Sequence, residues 1–399
     1  MMEPKIRFSS SNILYEEKTL SEISTINPKT NVPLEFEYVD LESVSGTEMT
    51  NHRTEHKATA PSRAQRLAKK GDIFYQTVRP YQKNNYYFDM DDDNYVFSTG
   101  YAQIRPSIYG KYLFTLLQND SFLKQVLDNC AGTSFPAINP SVLSRLSVRI
   151  CKDKQEQQAI ASYFTSLDSQ ISASTSRLAS LKQMKAASLQ AMFPQEGETV
   201  PKIRFKGFEG EWKTCPLYHF AKKRIEKNTK MLYNITLTNS AEFGIIDQRN
   251  FFDHEISNSE NINGYYVVRD HDFVYNPRIS SSAPVGPINQ NKLGYTGVMS
   301  PLYLVFEING INRDFLEIFF HTTLWHKYMF DNGNTGARFD RLAISDEDFM
   351  KMPIPDIDIE EQQAIASYFT SLDRQISLQS QRLEKLKQIK SACLDKMFV

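Results

Sequence analysis

Two stretches of the chain carry apolar residues at alternating spacings of four and three. They span residues 156–193 and 361–398, and each has one polar step, at Ser174 or Gln379. This heptad pattern predicts two long helices whose apolar seams form a coiled coil. Neither stretch contains Gly or Pro, and each would span about 57 Å if fully helical. The seam residues expected to mediate pairing are Phe164, Leu167, Ile171, Leu178, Leu181, Phe369, Leu372, Ile376, Leu383 and Leu386.

The two predicted helices are copies of one sequence. The run EQQAIASYFTSLD occurs unchanged at residues 156–168 and 361–373, and 26 of 38 positions match over the full stretches. A second run, PKIRF, begins at Pro4 and again at Pro201, whereas the segments between the repeats differ. The constant parts must therefore perform one task twice, and the variable parts must perform two versions of a related task.

The variable segments show short β-branched and aromatic runs bounded by turn residues, together with two helical stretches, at 111–127 and 313–330. This mixture predicts an α+β fold class with two α/β domains separated by the two long helices. The predicted strands lie at residues 86–88, 95–97, 265–268 and 303–306.

The relation between the two helices follows from their equal lengths and from the domain between them, which together favour an antiparallel coiled coil. The second helix would then end beside the first PKIRF run, with Val399 and Pro4 imitating the junction at 193–201. This predicts a circular, pseudo-two-fold arrangement. The alternative is that each amphipathic helix packs only on its neighbouring domain.

Composition adds a few limits to this picture. Hydrophobic content of 41% and charged content of 23% are those of a soluble globular protein. The start of the chain lacks the apolar core of a signal peptide and no stretch suits a membrane span, so we expect a cytoplasmic protein with no membrane partner. The four cysteines form no CxxC pair, and no metal site is expected.

The chain resembles the specificity subunits of type I restriction-modification systems over essentially its whole length. The resemblance rests on the EQQAIASYFTSLD helix openings and on PKIRFKGFEGEWK at residues 201–213. It also rests on GDIFYQTVRPYQKNNYY at 71–87 and DFVYNPRISSSAPVGPI at 272–288, which look like two common varieties of recognition-domain core.

This resemblance implies a non-catalytic subunit that reads a bipartite double-stranded DNA target, with one half-site for each variable domain. The helix pair would hold the domains at a fixed distance and dock two modification (methyltransferase) subunits, with restriction (translocase and nuclease) subunits completing the complex. S-adenosylmethionine, ATP and Mg are expected on those partners, and no cofactor is expected in this chain. The implied divisions are a first target-recognition domain (1–155), a first helix (156–193), a linker (194–203), a second target-recognition domain (204–355) and a second helix (356–399).

Local charge supports DNA binding although the net charge is only −1. Residues 52–83 contain eight Lys or Arg against two acidic residues, and residues 277–292 contain no acid. Arg and Lys can reach guanine or phosphates, and Asn and Gln can pair with adenine. The candidate DNA-binding residues are Arg63, Arg66, Lys69, Lys70, Arg79, Tyr81, Gln82, Lys83, Asn84, Asn85, Arg278, Ser280, Asn289, Gln290, Asn291, Lys292, Arg338 and Arg341.

No catalytic motif is complete in the chain, so no catalytic residue is assigned. Asn276-Pro277 lacks the second proline and aromatic residue of an amino-methyltransferase loop, and no GxxxxGK[ST] run exists for ATP. Asp40 with Glu55 and Lys57 fits a loose nuclease metal pattern, which arises often by chance. Two alternatives therefore stay open: a self-contained nuclease or methyltransferase, and a coiled-coil assembly protein without DNA binding.

Overall fold

The computed structural model describes residues 4–8, 15–132, 134–250, 259–334 and 340–398. Two predicted positions, Arg338 and Val399, lie outside them. The chain divides into two compact units, Met1–Ser176 with Ser380–Val399, and Arg177–Gln379. Each unit thus combines one variable segment with parts of both long helices, so the sequence boundaries at 156 and 356 do not coincide with the compact bodies.

The described part of the first unit is built of short strands and short helices ahead of a long helix. Its strands are β1 (Tyr15–Thr19), β2 (Ser24–Ile26), β3 (Glu35–Val39), β4 (Val44–Ser45), β5 (Glu48–Met49), β6 (Arg53–His56), β7 (Ala64–Leu67), β8 (Ile73–Gln76), β9 (Tyr86–Tyr87), β10 (Tyr95–Ser98), β11 (Tyr101–Pro106) and β12 (Ser147–Cys151). Its helices are α1 (Leu20–Ile23), α2 (Gly110–Leu116), α3 (Asp120–Asp128), α4 (Pro140–Leu143) and the start of α5 (Lys154–Ala191).

Three sheets and a hairpin organise the first unit. Strands β1 and β12 pair antiparallel, with Tyr15 opposite Cys151. A four-stranded antiparallel sheet has the order β2-β11-β8-β9, and a second four-stranded sheet has the order β6-β3-β10-β7, in which β10 runs parallel to β3. The main apolar core lies among the first of these four-stranded sheets, helices α2 and α3, and the two long helices.

The second unit repeats this plan with fewer strands among its described residues. Its strands are β13 (Lys213–Pro216), β14 (Ala221–Lys223), β15 (Leu237–Ser240), β16 (Gly244–Asp247), β17 (Tyr266–Val268), β18 (Phe273–Tyr275), β19 (Ile288–Gln290), β20 (Gly297–Met299), β21 (Leu304–Ile308) and β22 (Pro353–Asp356). Its helices are α6 (Arg313–Phe320), α7 (His326–Asn332), α8 (Asp346–Met350) and the start of α9 (Ile359–Met397).

The central sheets of the two units have matching strand orders. Strands β13 and β22 pair as β1 and β12 do, and the order β14-β21-β18-β19 repeats β2-β11-β8-β9. Strands β8 and β18, which carry the GDIFY and HDFVY runs, therefore occupy the same place in each sheet. Two smaller antiparallel pairs, β15 with β16 and β17 with β20, complete the second unit.

A buried aspartate explains why these two runs resemble each other. Asp72 and Asp272 each accept a hydrogen bond from the backbone N–H three residues earlier, at 2.9 and 2.7 Å. Each carboxylate also binds an arginine through two contacts: Arg105 at 2.7 and 2.8 Å, and Arg224 at 2.6 and 2.8 Å. The two arginines come from non-equivalent positions of the two segments. Of each aspartate–arginine pair, only the aspartate is therefore visible when the GDIFY and HDFVY runs are aligned.

The helical stretches predicted at 111–127 and 313–330 are each broken in two. In the first, the Asn119 side chain accepts the Ser121 N–H at 2.6 Å and so caps α3. Its amide also donates to the Leu394 carbonyl at 2.7 Å, which fixes the break against α9. In the second, the Trp325 indole donates to the Phe320 carbonyl at 3.0 Å between α6 and α7. A continuous helix in either place would lose these contacts.

The antiparallel pairing of the long helices is confirmed within each unit. In the first unit, Asp168 of α5 pairs with Lys390 of α9 at 2.5 Å, and the Phe164 and Phe398 rings lie 6.1 Å apart. In the second unit, Lys185 of α5 pairs with Asp373 of α9 at 2.5 Å. Each predicted seam residue is buried or half-buried. Ser174, the polar step of the first seam, is also buried.

The repeated runs meet in the same joint in both units. Arg7 binds Glu156 through contacts of 3.1 and 2.8 Å, and Arg204 binds Glu361 through contacts of 2.7 and 2.8 Å. The neighbouring aromatic pairs, Phe8 with Tyr163 and Phe205 with Tyr368, meet edge to face. We call each set, a PKIRF run with the helix opening that it contacts, the Arg–Glu joint.

Each PKIRF run is also tied to the end of a long helix. The Ile203 N–H donates to the Ala191 carbonyl, twelve positions earlier in the chain, at 2.9 Å. The Ile6 N–H donates to the Lys396 carbonyl at 3.1 Å, although hundreds of residues separate them in the chain. The circular arrangement expected from the sequence is therefore present in the first unit, because its ends meet as the internal junction does in the second.

We expect Arg204→Met to destabilise the second unit by about 3–5 kcal/mol, because it leaves the buried Glu361 carboxylate without a partner. Urea unfolding followed by tryptophan fluorescence measures this unit alone, since Trp212 and Trp325 are the chain's only tryptophans. The control Lys202→Met removes an exposed side chain and should cost less than about 0.5 kcal/mol. Adding Glu361→Met should recover most of the loss. Equal effects of Arg204→Met and the control would contradict this account of the joint.

Candidate nucleic-acid interface

A short backbone pairing recurs beyond the central strand of each unit. In the first unit, the Arg79 N–H donates to the Pro136 carbonyl at 2.8 Å and the Ile138 N–H to the Thr77 carbonyl at 3.0 Å. In the second, the Ile279 N–H donates to the Asp340 carbonyl at 3.0 Å and the Leu342 N–H to the Pro277 carbonyl at 2.9 Å. We call residues 77–79 with 136–138, and 277–279 with 340–342, the bridge frames.

The two bridge frames present different side chains on one backbone plan. At the directly opposed positions the first frame has Val78 and Ala137, whereas the second has Arg278 and Arg341. The structure thus brings Arg278 and Arg341 together from distant parts of the sequence. Arg79 lies one position beyond Val78, so the arginines prominent in the two sequence segments do not occupy equivalent places.

A strained turn follows the first bridge frame. Pro80–Gln82 form one turn of 3₁₀ helix, flanked by Arg79 and Lys83, which both have φ of 54° in the left-handed region. Non-glycine residues in this region cost free energy and persist where the surroundings fix them. The turn leaves the Tyr81 ring 51% exposed.

Gln76 holds this turn in place. The Gln76 side-chain Nε2 donates to the Gln82 side-chain Oε1 at 2.8 Å. The Gln76 side-chain Oε1 accepts the Asn84 backbone N–H at 3.1 Å. The Asn85 side chain accepts the Gln76 backbone N–H at 2.8 Å and donates to Gln118 at 3.3 Å. Since Asn85 is only 2% exposed, the structure assigns it to supporting the turn, in place of the base contact expected from its residue type.

The other candidate DNA-binding residues of the first unit are accessible to solvent. They differ in whether the side chain already has a partner within the protein. Lys70 pairs with Asp91 at 2.7 Å, Lys83 pairs with Asp120, and the Asn84 side chain accepts the Gly46 N–H at 2.9 Å. These three already have at least one partner each, so a contact with DNA would compete with or add to an existing interaction. The remaining exposed or half-buried candidates are Arg63, Arg66, Lys69, Arg79, Tyr81 and Gln82.

Arg66 differs from the other cations of this surface. It lies on β7 opposite Phe97, half-buried, and its Nε has no hydrogen-bond partner among the described residues. Burial lowers the pKa of its guanidinium below the usual value, because no carboxylate offsets the lost solvation. A cation held without a partner is costly in the free protein and is suited to an anionic ligand such as a DNA phosphate.

The polar run 289–291 of the second unit is buried, contrary to its expected role in base contact. Asn291 is fully buried, and its amide donates to the Arg269 and Tyr295 carbonyls at 3.0 Å each. The Asn289 amide donates to the Asn239 side chain at 2.7 Å, and Gln290 is 5% exposed beside His271. Since all three hold strand β19 in place, their side chains are not available to base edges in this structure.

The accessible candidates of the second unit surround its bridge frame. Arg278 and Ser280 are exposed, and Arg341 is half-buried with a single carboxylate contact of 3.7 Å to Asp340. Lys292 pairs with Asp314 at 3.0 Å and with Glu317, which raise the pKa of its ammonium although burial opposes them. The free cationic surface is therefore narrower than the sequence indicated.

Three functional features were missed by reading the sequence. Phe135 is 62% exposed beside Arg79, although a lone aromatic residue in sequence suggests a core position. Gln76 and Asn239 support the loops beside the two bridge frames through buried hydrogen bonds; the Asn239 amide donates to the Val274 carbonyl at 2.7 Å. No sequence signal separates such supporting amides from exposed ones, because both are ordinary polar residues.

The residues of the loose nuclease pattern are engaged in other contacts: the two carboxylates in ion pairs, and the lysine in a hydrogen bond. Arg53 lies between Asp40 and Glu55, with contacts of 2.7 and 2.9 Å. Lys57 donates to the Val32 carbonyl at 3.0 Å and not to either carboxylate. Across the described ranges, no group of three or more His, Cys, Asp or Glu side chains is placed to hold a metal ion.

Within the described residues no helix combines the length and apolarity needed to cross a membrane.

A family model described as the type I restriction modification DNA specificity domain matches residues 12–183 and 209–388. The chain belongs to this family. Each match covers one variable segment and most of the helix that follows it, so the specificity-domain family describes the repeat found in the sequence. The two matches leave out only short stretches of the chain.

Known members of the specificity-domain family resemble the chain in sequence or in fold. The type I restriction enzyme HindI specificity subunit of Haemophilus influenzae is 34% identical over 139 residues, which are 33% of this chain and 30% of that protein. The match therefore spans less than a third of the curated relative. A crystal structure of a type I restriction-modification S subunit from M. genitalium covers 100% of this chain and 99% of its own, with TM-score 0.61 and 13% identity.

A second solved chain gives the same result for the fold. It comes from work on complex assembly and conformational transition of the type I R-M system, and covers 97% of this chain and 98% of its own. Its TM-score is 0.55 at 19% identity. At such identities the likeness shows the shared fold, and the side chains of this specificity-domain protein must be interpreted from its own structure.

We expect Arg66→Met to stabilise the free protein while weakening DNA binding. Removing a partly buried, unpaired cation should increase the opening free energy of the β7 and β10 amides by about 1 kcal/mol in hydrogen exchange. The loss of one phosphate contact should reduce the slope of log Kd against log salt by about one unit. Lys152→Met is the control, since Lys152 is exposed, pairs with Glu16 and is not among the DNA-binding candidates. A destabilised Arg66→Met protein with an unchanged salt slope would refute the phosphate assignment.

Proposed function

We propose that this chain is the DNA-reading specificity subunit of a type I restriction-modification complex, without catalytic activity of its own. The observation that carries the proposal is the pair of bridge frames, which present different side chains on one repeated backbone plan. A protein that reads two different half-sites needs this combination, because the frame fixes position and the side chains select bases. The family match supports the same conclusion.

The assembly partners follow from exposed residues that the two helices share. Within the identical run, the buried positions are explained by packing in each unit, but four exposed positions are also identical. They recur at helical spacings of four and three, so they form one stripe on each helix. We call these the polar stripes: Gln158, Ser162, Thr165 and Ser166 on α5, and Gln363, Ser367, Thr370 and Ser371 on α9.

Each polar stripe borders a groove against the short helix of the adjoining domain. On α5 the groove has a volume of about 410 Å³ and includes Tyr109 and Lys111. On α9 it has a volume of about 420 Å³ and includes Asn312 and Asp314. Packing within each unit does not account for identity at exposed positions, so this identity favours one kind of partner bound twice. Two modification subunits satisfy that requirement, and restriction subunits would join the resulting complex.

The cofactors of the complex are proposed to reside on those partners. S-adenosylmethionine would serve the modification subunits, and ATP and Mg the restriction subunits. The sequence supports this division, since Asn276-Pro277 is an incomplete methyltransferase loop and no phosphate-binding glycine loop is present. The role of this chain is then to select the site at which its partners act.

Exchange of one reading domain tests the proposed function. We expect that replacing residues 15–151, which start at β1 and end at its partner β12, with the matching segment of another family member will change one half-site only. The complex with the modification subunit should methylate adenine at the new bipartite site, and the purified chain alone should not methylate DNA. Sequencing of methylated genomic DNA measures both half-sites. Simultaneous change of both half-sites, or methylation by the isolated chain, would contradict the proposal.

Partner stoichiometry tests the polar stripes. Ser162→Arg and Ser367→Arg should each remove one modification subunit from the complex, and the double substitution should remove both, as native mass spectrometry can count. A buried, unpaired arginine in a docked interface is strongly unfavourable. Ser169→Arg is the matched control, because the equivalent position of the other helix already carries Arg374. Two bound subunits in the double variant would show that the stripes do not dock them.

A further inference from the structure

The Arg79 guanidinium is fixed without a carboxylate. Its Cζ lies 4.5 Å from the centroid of the Phe135 ring. The guanidinium makes no hydrogen bond or ion pair with the described residues. By contrast, Arg53 and Arg105 of the same unit end on carboxylates at 2.7 Å. Arg79 therefore keeps its N–H donors free while the ring restricts its orientation.

Phe135 is held beside Arg79 by the backbone of a short loop. It belongs to a short loop closed by Ala131 and Ala137, whose backbone groups exchange hydrogen bonds of 2.9 and 3.0 Å. The ring is 62% exposed, so burial in the core does not explain a phenylalanine there. The neighbouring Pro136 carbonyl accepts the Arg79 N–H at 2.8 Å, which ties the loop to the arginine.

The backbone at Arg79 also carries strain of the kind found at functional sites. Of the non-glycine residues described, five have positive φ, and two of them, Arg79 and Lys83, flank the single turn Pro80–Gln82. Arg79 also precedes a proline, where helical-region conformations are disfavoured. Retaining such strain is consistent with a demand on where the arginine points.

We propose that Arg79 reads a guanine in the half-site of the first unit and that Phe135 is its positioning residue. The inference rests on the proposed function and names the base that this part of the site recognises. A bidentate contact with guanine O6 and N7 needs a guanidinium whose plane is set in advance, and stacking on a ring face provides that. A phosphate contact needs no such orientation, since a flexible cation suffices.

The second unit provides an internal control for the pairing. By backbone equivalence Ile279 stands where Arg79 stands, so the described part of the second bridge frame has no arginine at that position. Substitutions at Phe135 should therefore leave the half-site of the second unit unchanged. The same logic separates the pairing from a general effect of an exposed aromatic residue on DNA affinity.

The experiment uses the chain in complex with its modification subunit and a randomised duplex library from which bound sequences are selected. The unmodified complex should select two half-sites, one with a fixed guanine that Arg79→Ala relaxes. Phe135→Ala should reduce discrimination at that same base pair by about 10- to 100-fold, whereas Phe135→Tyr, which keeps the ring, should retain it. Arg79→Ala with Phe135→Ala should do no more than Arg79→Ala alone.

Replacement of that guanine by 7-deazaguanine removes the N7 acceptor and gives a second readout. It should weaken binding by the unmodified complex about 10-fold and leave the Arg79→Ala complex unaffected. If the unmodified complex showed no sequence preference, that result would contradict the proposed function itself. Two clear half-sites with unchanged preference in Phe135→Ala, uniform weakening in Arg79→Ala, or loss of the whole half-site in Phe135→Ala would overturn the guanine assignment alone.

Discussion

The buried Arg–Glu joint is the interaction on which the rest of the structure depends. Two charges taken out of water must meet in good geometry to offset their lost solvation, and each joint provides two contacts of 3.1 Å or less. The joint fixes where a long helix begins relative to the segment that enters the adjoining domain. Because the same joint is made in both units, each variable segment starts from the same local geometry.

The bridge frames show how a constant geometry can carry different selectivity. Hydrogen bonds between backbone groups hold the frame and are indifferent to side-chain identity, so Val78 with Ala137 can occupy the positions that Arg278 with Arg341 occupy elsewhere. Around each frame, buried side-chain amides such as Gln76 and Asn239 satisfy backbone groups of the loops. Recognition can then change at a few exposed side chains without a cost to the sheet beneath them.

The parts of the fold that were predictable from sequence are those governed by periodic patterns. The heptad pattern predicted the two helices and their pairing, because an apolar stripe must be covered. Their equal lengths favoured the antiparallel direction. The breaks at Asn119 and Trp325 depend on tertiary hydrogen bonds, which no local pattern reveals. Residues 289–291 were predicted to contact bases but are buried, for a related reason: Asn and Gln side chains can satisfy buried polar groups of the protein as well as base edges. Phe135 was missed because exposure cannot be inferred from an isolated aromatic residue.

The contact between Ile6 and Lys396 has a consequence for how the chain is made. Leu394, Met397 and Phe398 belong to the apolar core of the first unit, although the ribosome adds them after every residue of the second. Domains usually fold in the order of synthesis. Here the core of the first unit stays incomplete until these three residues have been made. The unit that contains the start of the chain is thus the second to have all of its core residues synthesised.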